Sequence, residues 1–205
     1  GEDVASKRAL FQSYQQSQHQ VRLFFRDDGL SDLIGFKYST WNAEDAAADF
    51  VGNLTNIATF LGDHASDQVV SIILDGENAW EYYPDNAHYF LDALYQQLST
   101  APSLNMTTFA EATQLPAPPL PRLSAGSWVS GSLSTWIGSI DKNRGWDYLV
   151  AAKHAYDQTL AKGLLSTQQW ESATQQLAVC EGSDWFWWFG DYNAADSVSD
   201  FEVLY

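Results

Sequence analysis

The sequence predicts an α/β fold in its first part and a mainly helical region after it. Apolar strand-like runs alternate with amphipathic helical patterns between residues 21 and 109. The order strand–helix–strand–helix–strand implies parallel strands joined by right-handed crossovers. A proline-rich break at residues 116–121 separates this part from residues with helical spacing. Three strands are too few to close a barrel, so we expect the first half of the sheet to be missing from this chain.

Three segments are predicted to be strands. Residues 69–74 are an apolar, β-branched run that reads as a buried strand. Residues 21–25 form a similar run, and both end abruptly in polar residues. Residues 105–109 are predicted to form a third, short strand. Ligands bind beyond the carboxyl ends of parallel strands, so the polar residues after the first two strands are candidates for a site.

Helices are predicted between the strands from capping signals and apolar periodicity. Residues 1–18 look helical. Asn42 is a predicted helix cap, with Asp45 three residues later. The helix that follows has an apolar face made by Phe50, Leu54, Ile57, Ala58 and Leu61. A second helix is predicted from about residue 85 to residue 98.

The region after the proline-rich break is predicted to be helical. Asn143 leads a helix that Gly163 ends. Ser166 and Gln169 form a capping box for the next helix. We therefore assign residues 1–115 to the α/β part, residues 116–125 to a connector, and residues 126–205 to a helical region with aromatic loops.

Composition excludes several classes of partner. The 205 residues carry a net charge of −16, which repels nucleic acid and anionic membrane surfaces. No apolar run approaches the roughly 20 residues of a membrane span, and residues 1–3 are too polar to begin a signal peptide. We therefore expect a soluble protein, with the cytoplasm favoured. A neutral polysaccharide is compatible with this charge.

No cofactor or metal is expected. Cys180 is the single cysteine, which leaves no internal disulfide and no cysteine-based metal site. The four histidines, at positions 19, 64, 88 and 154, form no ligand pair at helical spacing.

Asp75 is the strongest candidate for a chemical role. It ends the predicted strand 69–74 and stands beside Gly76, and the aromatic residues Trp80, Tyr82 and Tyr83 follow. A carboxylic acid can protonate a glycosidic oxygen, and aromatic rings stack on pyranose faces. The alternative is that Asp75 is a turn or capping residue.

Four segments together resemble glycoside hydrolase family 57, most closely its amylopullulanase and α-amylase branch. They occur in the family's order and span nearly the whole chain. They are Phe25-Arg-Asp-Asp-Gly-Leu-Ser-Asp-Leu-Ile-Gly-Phe36, Leu74-Asp-Gly-Glu-Asn-Ala-Trp-Glu81, Gly126-Ser-Trp-Val-Ser-Gly131 with Thr135-Trp-Ile-Gly138, and Glu181-Gly-Ser-Asp-Trp-Phe-Trp-Trp-Phe-Gly-Asp191. The last segment departs from the family pattern, which continues with an aspartate and a histidine where this chain has Tyr192 and Asn193.

The resemblance implies a retaining glycosidase for α-linked glucans that uses two carboxylates. Asp75 matches the family's general acid, but nothing before it resembles the segment that carries the family's nucleophile. The resemblance therefore implies the last strands of an incomplete (β/α)7-type barrel followed by a mainly helical C-terminal region. The expected partners are an α-glucan oligo- or polysaccharide and an N-terminal half of the catalytic domain, on the same precursor or on a separate chain.

Eight further residues are predicted to bind substrate, each with a structural alternative. Arg26 and Asp27 either orient sugar hydroxyls and tune the acid, or form a structural ion pair. Glu77 either binds hydroxyls or builds the loop. Four further candidates are tryptophans whose rings either stack on sugar or pack in the core: Trp80, Trp128, Trp136 and Trp185. The last candidate is Asp184, which lies beside Trp185.

Other functions remain compatible with the sequence. A non-catalytic α-glucan-binding domain explains the missing nucleophile but not the intact Asp-Gly-Glu-Asn turn. A 4-α-glucanotransferase or branching-type activity differs from hydrolysis only in the access of water to the intermediate. An acidic scaffold explains none of the four motifs.

Overall fold

The structure is a computed structural model that describes residues 4–16, 21–76, 79–120, 122–190, 193 and 195–205. The chain divides into two units, Gly1–Leu123 and Ser124–Tyr205. The division falls within residues 116–125, which the sequence assigns to the connector. Each unit has a core of its own.

The first unit contains short strands and helices of unequal length. Its α-helices are α1 Val4–Leu10, α2 Asp28–Asp32, α3 Ala43–Leu61, α4 His88–Thr100 and α5 Phe109–Ala112. A π-helical turn, Leu33–Lys37, follows α2, and 3-10 turns span Tyr38–Thr40, Gly62–Asp67 and Pro84–Ala87. Its strands are β1 Tyr14–Gln16, β2 Arg22–Leu23 and β3 Pro119–Leu120.

The described strands form a small sheet in the order β2-β1-β3. Strand β1 pairs antiparallel with β2, where Tyr14 faces Leu23, and parallel with β3, where Gln15 faces Pro119. The predicted helix over residues 1–18 is therefore wrong at residues 11–16, because α1 ends at Leu10 and β1 follows, while residues 1–3 and 17–18 lie outside the described part. Proline is accepted in β3 because an edge strand has one side without ladder hydrogen bonds.

The predicted strands at residues 69–74 and 105–109 do not enter this sheet. Residues 69–74 make one isolated parallel bridge, between Ser71 and Arg26. The strand prediction for residues 105–109 is wrong, because α5 begins at Phe109 with a capping box. Thr108 Oγ1 accepts from Glu111 N at 3.2 Å, and Glu111 Oε2 accepts from Thr108 N at 3.1 Å.

Helices α3 and α4 pack against each other and build the first core. Asn42 caps α3 as predicted: its Oδ1 accepts from Glu44 N at 3.0 Å and from Asp45 N at 3.4 Å. Helix α4 begins at His88, three residues after the predicted start, because Asp85, Asn86 and Ala87 have positive φ angles. The buried core residues are Leu30, Ile34, Tyr38, Ala46, Ala47, Phe50, Tyr83, Ala87, Phe90, Ala93 and Leu94.

The described part of the second unit is helical. Its helices are α6 Ile140–Ala161, α7 Thr167–Cys180, α8 Ser183–Trp188 and α9 Ala195–Leu204. Helix α6 begins three residues before the predicted Asn143, because Ser139 is its cap and accepts from Lys142 N at 3.5 Å. Gly163 follows α6 with a φ of 64°, and Ser166 and Gln169 form the predicted capping box of α7.

Aromatic rings from α8 and the residue after it pack on α6. Phe186, Phe189 and Leu149 are the buried residues of this second core. The ring of Trp146 stacks on Phe186 with centroids 4.0 Å apart. A Cβ atom at Gly145 would lie 2.7 Å from the Phe189 ring. The helices approach this closely because Gly145 has no side chain.

None of the helices in the described part of the chain is long and apolar enough to cross a membrane.

We predict that Tyr83 makes stability sensitive to alkaline pH. Its side chain is buried, its hydroxyl donates to Ile34 O at 2.5 Å, and burial raises its pKa from 10.0 to about 12. The unfolded state therefore loses this proton first, and the contribution of Tyr83 is lost as pH rises from 10 to 12. Tyr83→Phe should make the fall of the unfolding free energy over this range shallower.

Chemical denaturation at a series of pH values measures this slope. Tyr82→Phe is the matched control, because Tyr82 is the neighbouring tyrosine and is 78% exposed. A Tyr83→Phe profile that coincides with the wild-type profile would contradict the assignment.

Candidate active site

The segment that carries Asp75 is held by the loop and short helix after β2. Asp27 N donates to Ser71 O at 3.0 Å, and Ile73 N donates to Ser31 Oγ at 3.3 Å. Ser31 is fully buried. These bonds hold the extended backbone just before Asp75 in one register.

Arg26 adds a side-chain contact to the same segment. Its Nε donates to Ile73 O at 2.9 Å, while its two terminal nitrogens contact Asp28 at 2.5 Å and Asp32 at 2.7 Å. Burial lowers the pKa of Arg26, but the hydrogen bonds and charges of Asp32 and Asp28 outweigh burial and raise it above the ordinary value. The guanidinium is thus a permanent cation, and the contacts above place it between Ile73 O and two carboxylates.

Asp27 caps the short helix that Arg26 precedes. Its Oδ1 accepts from Leu30 N at 2.8 Å, which satisfies a free amide at the start of α2. Arg26 and Asp27 therefore do not pair with each other in the described contacts; each has separate partners. Their predicted binding of substrate stays a prediction.

Asp75 itself is exposed, as is Gly76 after it. Glu77, a predicted substrate-binding residue, lies outside the described residues. The Asp75 carboxylate follows the anchored backbone by two residues and is accessible to a ligand. The role of Asp75 as general acid stays a prediction.

Trp80 packs toward the first core. Its ring is half-buried, 5.7 Å from the Tyr83 ring and 6.4 Å from the Phe90 ring. Tyr82 is 78% exposed. Sequence reasoning left Tyr82 out of the predicted site residues, although it belongs to the same aromatic run after Asp75 as Trp80.

Trp128 lies on a compact turn in the second unit. Ser127 Oγ donates to Val129 O at 3.2 Å and accepts from Val129 N at 3.1 Å. The Trp128 side chain is 60% exposed. An indole with this much open surface on a hydrogen-bonded turn is suited to stack on a flat apolar ligand face.

Trp136 is half-buried and lies beside a ring that sequence reasoning did not single out. The rings of Trp136 and Trp187 are 6.2 Å apart, and Trp136 O accepts from Trp146 Nε1 at 2.9 Å. Trp187 belongs to α8, in which Phe186 takes the buried position, and Phe189 directly after the helix is also buried. The sequence pattern of the aromatic run gave no signal that separates Trp187 from these buried rings.

Asp184 and Trp185 occupy the first turn of α8. Asp184 is exposed. Trp185 is half-buried: its Nε1 donates to Val179 O at 2.8 Å, and its ring lies 5.4 Å from Tyr205 and 5.9 Å from Phe201. The ring of Trp185 therefore supports the fold of the second unit.

Lys142 is a buried cation beneath the aromatic segment. It is 1% exposed, and its Nζ donates to Phe186 O and to Trp187 O. A cation near the last carbonyls of a helix is favourable, because these carbonyls lack helical partners. Lys142 thereby fixes α8 and the direction of its tryptophans relative to α6.

A largely apolar groove borders the segment before Asp75. Its volume is about 820 Å³, and α3, residues 68–72 and residues 103–109 form its walls. Within the described residues, no group of three or more His, Cys, Asp or Glu side chains is placed to hold a metal ion.

The first unit matches a known enzyme family. The family model described as glycosyl hydrolase family 57 matches residues 2–123, which is more than half of the chain. The chain belongs to glycosyl hydrolase family 57. No curated protein matches it.

Membership of family 57 bears on the class of reaction. The family implies glycoside hydrolase activity on glycans. The matched residues contain Arg26, Asp27, Asp75 and Trp80, while the predicted aromatic positions of the second unit lie beyond the match.

We predict that the tryptophans of the second unit contribute unequally to stability. Trp128→Ala should change the unfolding free energy by less than about 0.5 kcal/mol, because most of the ring is already in water. Trp136→Ala should lower it by about 1–3 kcal/mol, because its ring packs against the second core. Thermal or denaturant unfolding of both variants measures the difference. Equal destabilisation by the two substitutions would contradict the exposure of Trp128.

Proposed function

We propose that the chain is the C-terminal part of a retaining glycoside hydrolase of the amylopullulanase and α-amylase branch, acting on α-linked glucans. Asp75 is its general acid. The observation that carries this proposal is the exposed Asp75 carboxylate at the end of a backbone segment that three hydrogen bonds anchor.

The proposed reaction uses Asp75 twice. First, its carboxylic acid gives a proton to the glycosidic oxygen while a carboxylate nucleophile attacks the anomeric carbon; the bond electrons leave with that oxygen. The Asp75 carboxylate then takes a proton from water, which attacks the anomeric carbon and releases the nucleophile. Nothing in the sequence before Asp75 resembles the nucleophile segment, so we assign that residue to a further segment or chain.

The surface chemistry supports a neutral sugar polymer as substrate. A net charge of −16 opposes anionic substrates. Exposed Trp128 and the half-buried pair Trp136 and Trp187 offer rings of the kind that stack on pyranose faces. We assign these three tryptophans to glucan binding in the second unit, and Arg26, Asp27 and Glu77 to the surroundings of Asp75.

An unpaired strand edge supports the proposal of an incomplete barrel. The backbone groups of Val70, Ile72 and Leu74 make no hydrogen bond with another described residue. The apolar groove borders the same segment. These three residues are half-buried, and an edge without backbone partners tends to pair with another strand, so we assign this edge to strands from the N-terminal half of the catalytic domain.

We predict that Asp75→Asn lowers kcat on unactivated α-glucan by about 10²–10⁴-fold, because an amide cannot donate the acid proton. Binding of malto-oligosaccharide should change little, since the amide has nearly the shape of the carboxyl group. Steady-state rates and calorimetric binding measure the two effects. Asp92→Asn is the matched control: it removes an exposed carboxylate from α4, in the same unit.

Two results would contradict the proposal. A near-wild-type rate in Asp75→Asn removes Asp75 from the mechanism. Binding of glucan without turnover by the unaltered protein, with the N-terminal half of the catalytic domain present, favours the non-catalytic binding domain.

We predict that the amide hydrogens of Val70, Ile72 and Leu74 exchange rapidly in the isolated chain. In a catalytically active form with the additional strands, their exchange should slow by about 100-fold or more, because each buried strand amide gains a carbonyl partner. Residue-resolved hydrogen exchange measures this. The α4 amides of Ala93 and Leu94 are the internal control, protected in both forms. Equally fast exchange of the three strand amides in the active form would contradict the completed sheet.

A further inference from the structure

We propose that Arg26 is a positioning residue that sets the location of Asp75 through the carbonyl of Ile73. This inference rests on the proposed role of Asp75 as general acid. In this proposal the Arg26 guanidinium holds the backbone that carries the acid, and Arg26 needs no direct contact with the sugar.

The hydrogen bonds of the Arg26 side chain fix the orientation of its guanidinium group. Nε donates to Ile73 O at 2.9 Å, and the two terminal nitrogens donate to Asp28 and Asp32 at 2.5 and 2.7 Å. A guanidinium is planar and its donors point in fixed directions, so three partners on separate residues define both its place and its plane. The Arg26 side chain is only 22% exposed, whereas Asp28 and Asp32 are 72% and 50% exposed. The two more exposed carboxylates thus contact the terminal nitrogens of the guanidinium, and Ile73 O accepts from its Nε.

The anchor is close to the acid along the chain. Two residues of extended backbone span at most about 7 Å, so the Asp75 Cα lies within that distance of the Ile73 Cα. Asp27 N and Ser31 Oγ bond the same strand at Ser71 and Ile73. Arg26 supplies the bond to Ile73 O and is the one charged side chain among these three contacts.

The surroundings of Asp75 require such an anchor. Its carboxylate is exposed and Gly76, which has no side chain to restrict the backbone, follows it. The position of the carboxylate therefore depends on the backbone before it. A displacement of about 1 Å at a reacting group can lower a rate by about 100-fold.

The test compares substrates that need the acid with substrates that do not. In the active form of the protein, Arg26→Gln should lower kcat on natural α-glucan by about 10–100-fold with KM changed less than about twofold. On a dinitrophenyl glycoside, whose leaving group departs without protonation, kcat/KM reports glycosidic cleavage and not the later hydrolysis step, and it should fall less than about threefold. Arg26→Lys retains the charge but reaches fewer partners, and it should give an intermediate loss.

Control variants separate positioning from folding. Arg144→Gln removes another arginine that contacts an aspartate, in an exposed pair in the second unit, and should leave both substrates unaffected. Melting temperatures show that the variants are folded, and Arg26→Lys supplies the test if Arg26→Gln does not fold.

Three outcomes would overturn the inference. Equal losses on both substrates assign Arg26 to general stability. A raised KM with unchanged kcat assigns it to sugar binding. Unchanged kinetics show that Arg26 has no part in the reaction. The proposed function fails separately, when Asp75→Asn retains its rate on natural glucan; if Asp75→Asn is inactive and Arg26→Gln is normal, positioning alone is wrong.

Discussion

The candidate site depends on the attachment of residues 71–73 to residues 26–32. This attachment consists of two backbone amides that donate to Ser71 O and Ser31 Oγ, and one guanidinium nitrogen that donates to Ile73 O. The segment has no ladder of its own in the described part of the chain. Its extended form therefore relies on contacts that are more than 40 residues distant in sequence.

The two units use aromatic residues in different ways. In the first, Tyr38, Tyr83 and Phe90 pack between α3 and α4, and the tyrosine hydroxyls donate to Asp49 and to Ile34 O. In the second, Phe186 and Phe189 fill the core while Lys142 holds the α8 carbonyls, which leaves Trp187 beside Trp136. The aromatic residues thus provide both buried core rings and rings that remain partly open to water.

Several local signals in the sequence predict the structure correctly, whereas the caps at Ser139 and Thr108 and the non-local contacts were not predicted. The caps at Asn42, Ser166 and Gly163 depend on neighbouring residues, so short-range rules locate them. Strand formation at residues 105–109 depends on a partner strand, and there the capping box at Thr108 determined the structure. The sequence identifies Asp75 and Arg26 as candidate residues. It does not predict the hydrogen bond from Arg26 Nε to Ile73 O, because the two residues are 47 positions apart. The sequence pattern also did not separate Trp80, which packs inward, from Trp128, which is open to water.

Gly145 shows two physical preferences in opposition. Glycine inside a helix is unfavourable by about 0.5–1 kcal/mol relative to alanine, yet α6 carries it where the rings of Phe186 and Phe189 approach most closely. A methyl group there would improve the helix in isolation and push the rings away from their backbone support. Methods that raise stability by improving helix propensity residue by residue will therefore select the wrong amino acid at this position. At Gly145, close packing of the aromatic rings against α6 contributes more to the fold than the helix propensity of the residue does.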